Sequence, residues 1–224
     1  PLLPTTEIRR TLGDSTAPDG HQELYRTATS HHAGRQQPQA PCASSGHHYR
    51  AEVTLSRWPA AAIIQTDRLV LEPLRLDHAE EVEAALDDER LHEYIGGHPA
   101  TLDQLRERYG RLVIGSSPDG MQGWCNWIAR ERASGLVVGT VQATLHGEPG
   151  CTTAEIAWVI AMPDRGQGYA TESAAAMSDW LLRHGVDVLV AHVHPEHRAS
   201  IGVARRLGMA PTSVIVDGET RWAR

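Results

Sequence analysis

The run Pro163-Asp164-Arg165-Gly166-Gln167-Gly168-Tyr169-Ala170-Thr171-Glu172 is suited to holding an anion. An apolar stretch over 156–162 precedes it and reads as a strand, and residues 170–184 follow and read as a helix. The first amides of a helix have no partner inside it, and the helix dipole adds partial positive charge there. Gly166 and Gly168 let backbone amides approach a ligand with no Cβ in the way. Arg165 adds a fixed cation suited to a phosphate. Proton acceptors lie on both sides of this run. Glu155 stands between Ala154 and Ile156, where desolvation would raise its pKa toward neutrality, unless it pairs with an arginine on the sheet face. His192 and His194 stand near the end of the next strand, and imidazole titrates near neutrality without tuning. Strand-end packing is the alternative role for both.

Three phosphate loops compete for this pattern. A Walker A loop requires a lysine after its second glycine, and the chain contains no lysine. A dinucleotide fingerprint requires G-x-G-x-x-G, but Thr171 takes the third glycine's place. It also requires an acidic residue at the end of the next strand, where this chain reads His192-Val193-His194-Pro195. The third pattern fits. Arg165-x-x-Gly168-x-Ala170 resembles the R-x-x-G-x-G/A motif with which the GNAT superfamily of N-acetyltransferases holds the pyrophosphate of acetyl-CoA. The resemblance runs in a consistent order from Thr66 to Arg224. Thr66-Asp67-Arg68-Leu69-Val70-Leu71 is similar to the opening strand of the Rim-type branch, which includes acetyltransferases of ribosomal-protein N-termini. Ala154-Glu155-Ile156-Ala157-Trp158 resembles the strand ahead of the cofactor loop. His197-Arg198-Ala199-Ser200 and Ala204-Arg205-Arg206-Leu207-Gly208-Met209 resemble the late N-x-x-S…LGF segment. Two positions depart from that pattern: His197 replaces the usual Asn, and Ala204 replaces a Tyr that often protonates the leaving thiolate.

The resemblance implies direct transfer of an acetyl group from acetyl-CoA, as co-substrate and without a metal, to a primary amine. That amine belongs to a small molecule or to a peptide or protein N-terminus. Cofactor contacts then fall on Ile160, Ala161, Met162, Arg165, Gly166, Gln167, Gly168, Tyr169, Ala170, Thr171 and His197. The oxyanion is expected to meet a backbone amide near 159–161, where the family's strand bulges and splays from the next. Glu155 holds the position where the family often has a catalytic base, and Ser200 matches a Ser associated with the thiolate in Rim-type enzymes. The bland role of Ser200 is helix capping. A bacterial-type, cytoplasmic enzyme follows from the same resemblance, and homodimers are common in the family. Two other readings stand beside it: a non-catalytic acyl-CoA sensor, motivated by Ala204, and an antibiotic or polyamine acetyltransferase on the same scaffold.

Composition narrows the classes further. The formal net charge of −7 argues against nucleic-acid binding and favours cationic acceptors such as amines. Absence of Lys removes Schiff-base chemistry, and absence of Phe with a single Asn, Asn126, points to a high-GC genome. The three cysteines, Cys42, Cys125 and Cys151, are scattered, which fits a reducing compartment with no disulfide framework. None stands at a strand-to-helix turn to carry an acetyl group, so direct transfer is expected over a ping-pong route. No apolar run approaches the ~18 residues of a membrane span, and the N-terminus lacks the charged-then-apolar order of a signal peptide.

The elements that must position these groups lie in the second part of the chain. Residues 1–62 carry Pro, Ser, Thr, Gln, Gly and His without periodicity and read as a disordered extension, with 63–224 as the acetyltransferase-like domain. The pairs His31/His32 and His47/His48, near Cys42, match no zinc spacing, and residues 49–58 hint at a short element. Residues 68–75 alternate as an edge strand. Asp77 reads as the cap of a helix with Glu80 in its capping box, and Thr101 as the cap of a second helix reaching Leu112. Residues 124–130, 136–145 and 151–160 read as antiparallel strands joined by turns at 133–135 and 147–150. After the loop helix and its Gly185 stop come a strand over 186–193, a helix over 199–207 and a hairpin around Asp217-Gly218. Trp124, Trp127 and Trp158 line either a substrate cleft or the core. The order β-α-α-β-β-β-α-β-α-β-β makes an α+β fold, a mixed, mostly antiparallel central sheet of about seven strands with about four flanking helices.

Overall fold

The computed structural model describes residues 57–94 and 96–224. The polar extension up to residue 56, with its His pairs and Cys42, lies outside the described residues, as does most of the 49–58 segment. The described chain forms eight strands and four α-helices. The strands are β1 (Ile64–Gln65), β2 (Leu69–Pro73), β3 (Gly123–Glu131), β4 (Val137–Glu148), β5 (Cys151–Ile160), β6 (Val188–Val193), β7 (Ala210–Val216) and β8 (Glu219–Ala223). The helices are α1 (Ala79–Leu86), α2 (Leu102–Leu112), α3 (Tyr169–Arg183) and α4 (Arg198–Arg206). One open sheet carries the order β1-β2-β3-β4-β5-β6-β8-β7, antiparallel throughout except between β5 and β6.

The eighth strand beyond the expected seven is β1, a two-residue ladder on β2 too short to show periodicity. Packing on the sheet begins ahead of the 62/63 boundary read from composition. Trp58 is buried and donates to the Gly120 carbonyl, and Trp127 donates to the Ala62 carbonyl. The start of α1 also departs from expectation. Asp77 does not cap it, because Arg75 holds that carboxylate at 3.0 Å. A 3-10 turn, Leu76–His78, leads in, and His78 is the N-cap. Thr101 caps α2 in a complete capping box with Gln104.

Alternation along the strands splits the core into two layers. On one face Trp127, Val141 and Ile156 pack with Ala174, Met177 and Leu181 of α3 and Val203 and Ala204 of α4. On the other, Ile128 and Val137 pack with Val82 of α1 and Leu105 and Tyr109 of α2. The sheet therefore separates α3 and α4 from α1 and α2.

Candidate functional site

The parallel ladder between β5 and β6 is short. It joins Thr153 to Val188, Ala154 to Leu189 and Glu155 to Val190, and then stops. Beyond it, β5 continues to Ile160 against β4, and β6 continues to Val193 against β8. Residues 156–160 and 191–193 thus face each other across a wedge without ladder pairing. Backbone amides and carbonyls on those facing edges are open to a ligand. This splay was an expectation from resemblance, and periodicity carries no trace of it.

The wedge opens onto the N-terminus of α3. A 3-10 turn, Met162–Asp164, leads from β5 into the loop. Gly166 and Gly168 both adopt left-handed φ, +80° and +85°, which only glycine takes at little cost. Gly168 is the N-cap, no side chain among the described residues caps the helix, and its first i→i−4 bond runs from the Glu172 amide to the Gly168 carbonyl. The amides of Tyr169, Ala170 and Thr171 therefore have no partner within the helix. Exposed Arg165 stands beside them.

The loop is held from below by a cluster assembled across the chain. Glu172 accepts from the Thr66 hydroxyl at 2.6 Å, the Arg68 amide at 3.0 Å and Arg68 Nε at 2.7 Å. Arg68 also donates to the Gln167 carbonyl at 2.9 Å and lies over the Tyr169 ring at 4.7 Å. The Tyr169 hydroxyl donates to Glu131. Burial alone would raise the Glu172 pKa, but Thr66 and Arg68 together bring it below the ordinary value. Arg68 and Glu172 went unassigned in sequence, because nothing local links residues so far apart.

Wedge and loop form one cleft of about 700 Å³, inside the roughly 300–1,000 Å³ range of small-ligand sites. Of the expected cofactor residues, Ile160, Arg165, Gly166, Gly168, Tyr169, Ala170, Thr171 and His197 line it. Ala161, Met162 and Gln167 belong to the same turn but do not line it. Ser200 lines it from the first turn of α4 and does not cap that helix, whose N-cap is His197. Ala204 is fully buried core. A residue not singled out in sequence, Tyr94, roofs the mouth, 4.5 Å from the His197 ring and 5.3 Å from that of His194.

The proton acceptors divide clearly. His194 Nδ1 accepts from the Glu196 amide, so this ring is engaged at the strand end. His192 lines the cleft with a buried Nδ1 that has no hydrogen-bond partner among the described residues. Burial and the nearby Arg221 cation hold its pKa below the ordinary imidazole value, against a smaller opposite pull from Asp217. Burial and Arg165 do the same to His197. Glu155 is half-buried on the same sheet face as His192, paired in register with Thr144 and Val190, and does not itself line the cleft. Cys125 is no nucleophile: burial pushes its thiol up to about 12, and it donates to the Pro59 carbonyl. Of the three tryptophans, Trp127 is core and packs edge-on against Trp180, Trp158 walls the cleft, and half-buried Trp124 does not. Among the described residues no helix is long and apolar enough to cross a membrane, and no cluster of three His, Cys, Asp or Glu gathers as metal ligands.

The acetyltransferase (GNAT) domain model matches residues 68–210. A GNAT-family acetyltransferase from Bacillus anthracis superposes with a TM-score of 0.60 at 21% identity, covering 73% of this chain and 98% of that one. An acetyltransferase from Agrobacterium tumefaciens gives 0.59 at 23% identity, over 78% and 98% of the two chains. RimL, a ribosomal L7/L12 α-N-protein acetyltransferase solved with coenzyme A, gives 0.56 at 17% identity, over 73% and 97%. At these identities the likeness is one of fold. Among curated proteins nothing matches the chain. The family match spans the strand that supports the loop, the loop itself and the wedge, and on that ground the chain belongs to the GNAT family of N-acetyltransferases.

Proposed function

We propose that this chain binds acetyl-CoA in the β5–β6 cleft and transfers its acetyl group directly to a primary amine on a small molecule or a peptide N-terminus. The observation that carries the reading is the continuity of an unpaired strand edge with an uncapped helix N-terminus. In this reading the amides of Gly166 and of Gly168 to Thr171, with the Arg165 guanidinium, take the pyrophosphate, and Ile160 bounds the pantetheine path. The amine nitrogen attacks the thioester carbonyl, and an amide near Val159 stabilises the oxyanion. Collapse breaks the C–S bond, giving an amide and the CoA thiolate. The thiolate takes a proton from the Ser200 hydroxyl, which recovers one from water in the cleft, in the place where Ala204 offers no hydroxyl.

The amine must lose a proton, and an α-amine has a pKa of roughly 8. Two acceptors share the relevant sheet face, Glu155 and His192. Two residues of strand span roughly 6–7 Å, within reach of one bridging water. His192 lines the cleft and Glu155 does not, which favours a direct role for the imidazole, with Glu155 as the deeper acceptor.

Initial rates of CoA release with varied acetyl-CoA and amine test the proposal. Intersecting double-reciprocal lines are expected, and parallel lines would overturn direct transfer. Glu155→Gln and His192→Asn should each displace the acidic limb of the pH–rate profile; a profile unchanged by both removes these residues from proton transfer.

A further inference from the structure

Helix α2 turns Leu105, Arg108 and Tyr109 inward. That spacing is the apolar stripe of an amphipathic helix, yet a guanidinium fills one of its positions. Arg108 is 8% exposed, and among the described residues it makes no hydrogen bond or ion pair. Burial pulls its pKa down to about 10; Tyr109 opposes that shift and the neighbouring Arg111 cation adds to it. A buried cation without a counter-ion is costly, and a ligand anion would remove the cost.

Arg108 lines a cavity of about 60 Å³ between α1, α2 and the sheet. Of the other ionisable groups on its wall, two are hydrogen-bonded and the third is a buried phenol. Glu83 accepts from the Leu102 amide at 2.8 Å, His92 Nδ1 meets the Gly96 carbonyl at 3.0 Å, and burial pushes the Tyr109 phenol up to about 12. The cavity floor is a polar row. Asn126, Gln142 and Ala157 are register partners across β3, β4 and β5, with Ile128, Thr140 and Val159 beside them. Ala157, Trp158 and Val159 also wall the cofactor cleft, so cavity and cleft meet along the unpaired length of β5.

We infer that Arg108 is the anion subsite of the acceptor, and that the acceptor is a small amine bearing a carboxylate, of amino-acid size. The inference rests on the acetyltransferase reading and deepens it. With the carboxylate on Arg108, the amine reaches along the Gln142 row to the β5 edge. The cavity volume admits a carboxylate head group and not a folded peptide. A guanidinium fork matches a carboxylate in two hydrogen bonds, and one cation in a cavity that also carries the Glu83 carboxylate is a poor match for a phosphate dianion.

Matched pairs of amino acids and their decarboxylated amines, assayed by thiol release from acetyl-CoA, test this. The wild type should favour the carboxylate member about thirtyfold or more in kcat/KM. Arg108→Met should lower that member's kcat/KM about thirtyfold, chiefly through KM, with acetyl-CoA affinity unchanged and Tm unchanged or raised. Arg108→Lys should recover part of the loss. Equal rates within pairs, no acetylation of any amino carboxylate by a protein that binds acetyl-CoA, or a large fall in Tm for Arg108→Met each overturn the Arg108 assignment. These outcomes leave the acetyltransferase reading standing. Failure of the wild type to bind acetyl-CoA in calorimetry overturns both.

Discussion

Replacing Glu172 by Gln removes the charge that ties the glycine loop to the segment between β1 and β2 while keeping the side chain's size. Glu172 gathers three hydrogen bonds and a 2.6 Å ion pair with Arg68, and its side chain is 18% exposed. Hydrogen bonds to charged groups contribute roughly 1.5–3 kcal/mol, and an acid in the first turn of a helix adds roughly 0.3–1 kcal/mol. Arg68 is 47% exposed, so water screens its side of the pair. The net loss should be about 2 kcal/mol, or roughly 4–8 °C in Tm for a domain of this size. The folded-state pKa of Glu172 lies below the ordinary 4.5, so its contribution is present above that pH and lost as pH falls through the folded value. Thermal melts of wild type and Glu172→Gln should therefore differ at neutral pH and converge in acid. Loosening Arg68 also releases the Gln167 carbonyl, and acetyl-CoA affinity should fall about tenfold, or about 1.4 kcal/mol. Equal Tm at neutral pH, or a gap that persists unchanged into acid, refutes the reasoning.

Further outcomes are open to measurement. Gly139 pairs with Ile160, and a Cβ there would overlap the Val159 carbonyl oxygen. Gly139→Ala should cost about 2–3 kcal/mol in denaturant unfolding and weaken cofactor binding by shifting the β5 edge; an unchanged midpoint contradicts that close approach. His78, His146, His192 and His197 all have folded pKa values held below 6.5 by burial. The unfolded chain then binds more protons below that pH, so stability should fall as pH drops from 6.5, and a flat Tm across that window would refute it. Met177 is fully buried where α3 packs on the sheet, and Met177→Ala should cost roughly 2–5 kcal/mol by chemical denaturation.

Much of this was legible in sequence where one local rule sufficed. Strand β5 has the bounds expected from its apolar run, Cys151–Ile160. The Asp217-Gly218 hairpin has positive φ at both central residues, 50° and 83°, as a type I′ turn demands. The anion loop announced itself through glycine spacing, because left-handed φ and an open helix terminus need those residues. What sequence hid was long-range. The wedge arises where two strands stop pairing, which leaves no mark on hydropathy. The Arg68–Glu172 clamp joins residues 104 positions apart. Arg108 lies within Arg106-Glu107-Arg108-Tyr109-Gly110-Arg111, where one more charge looks like a solvated face until helix phase and burial are known. Asp77 looked like a cap because capping patterns ignore competition from a nearby arginine.

The most direct test of the central claim is calorimetry of acetyl-CoA with wild type and Gly168→Asp. The aspartate would place a side chain, strained at φ +85°, and a negative charge in the pyrophosphate cradle. The account predicts micromolar binding by the wild type and a loss of at least about a hundredfold, or about 2.8 kcal/mol, in the variant. No binding by the wild type, or equal binding by both proteins, would contradict it.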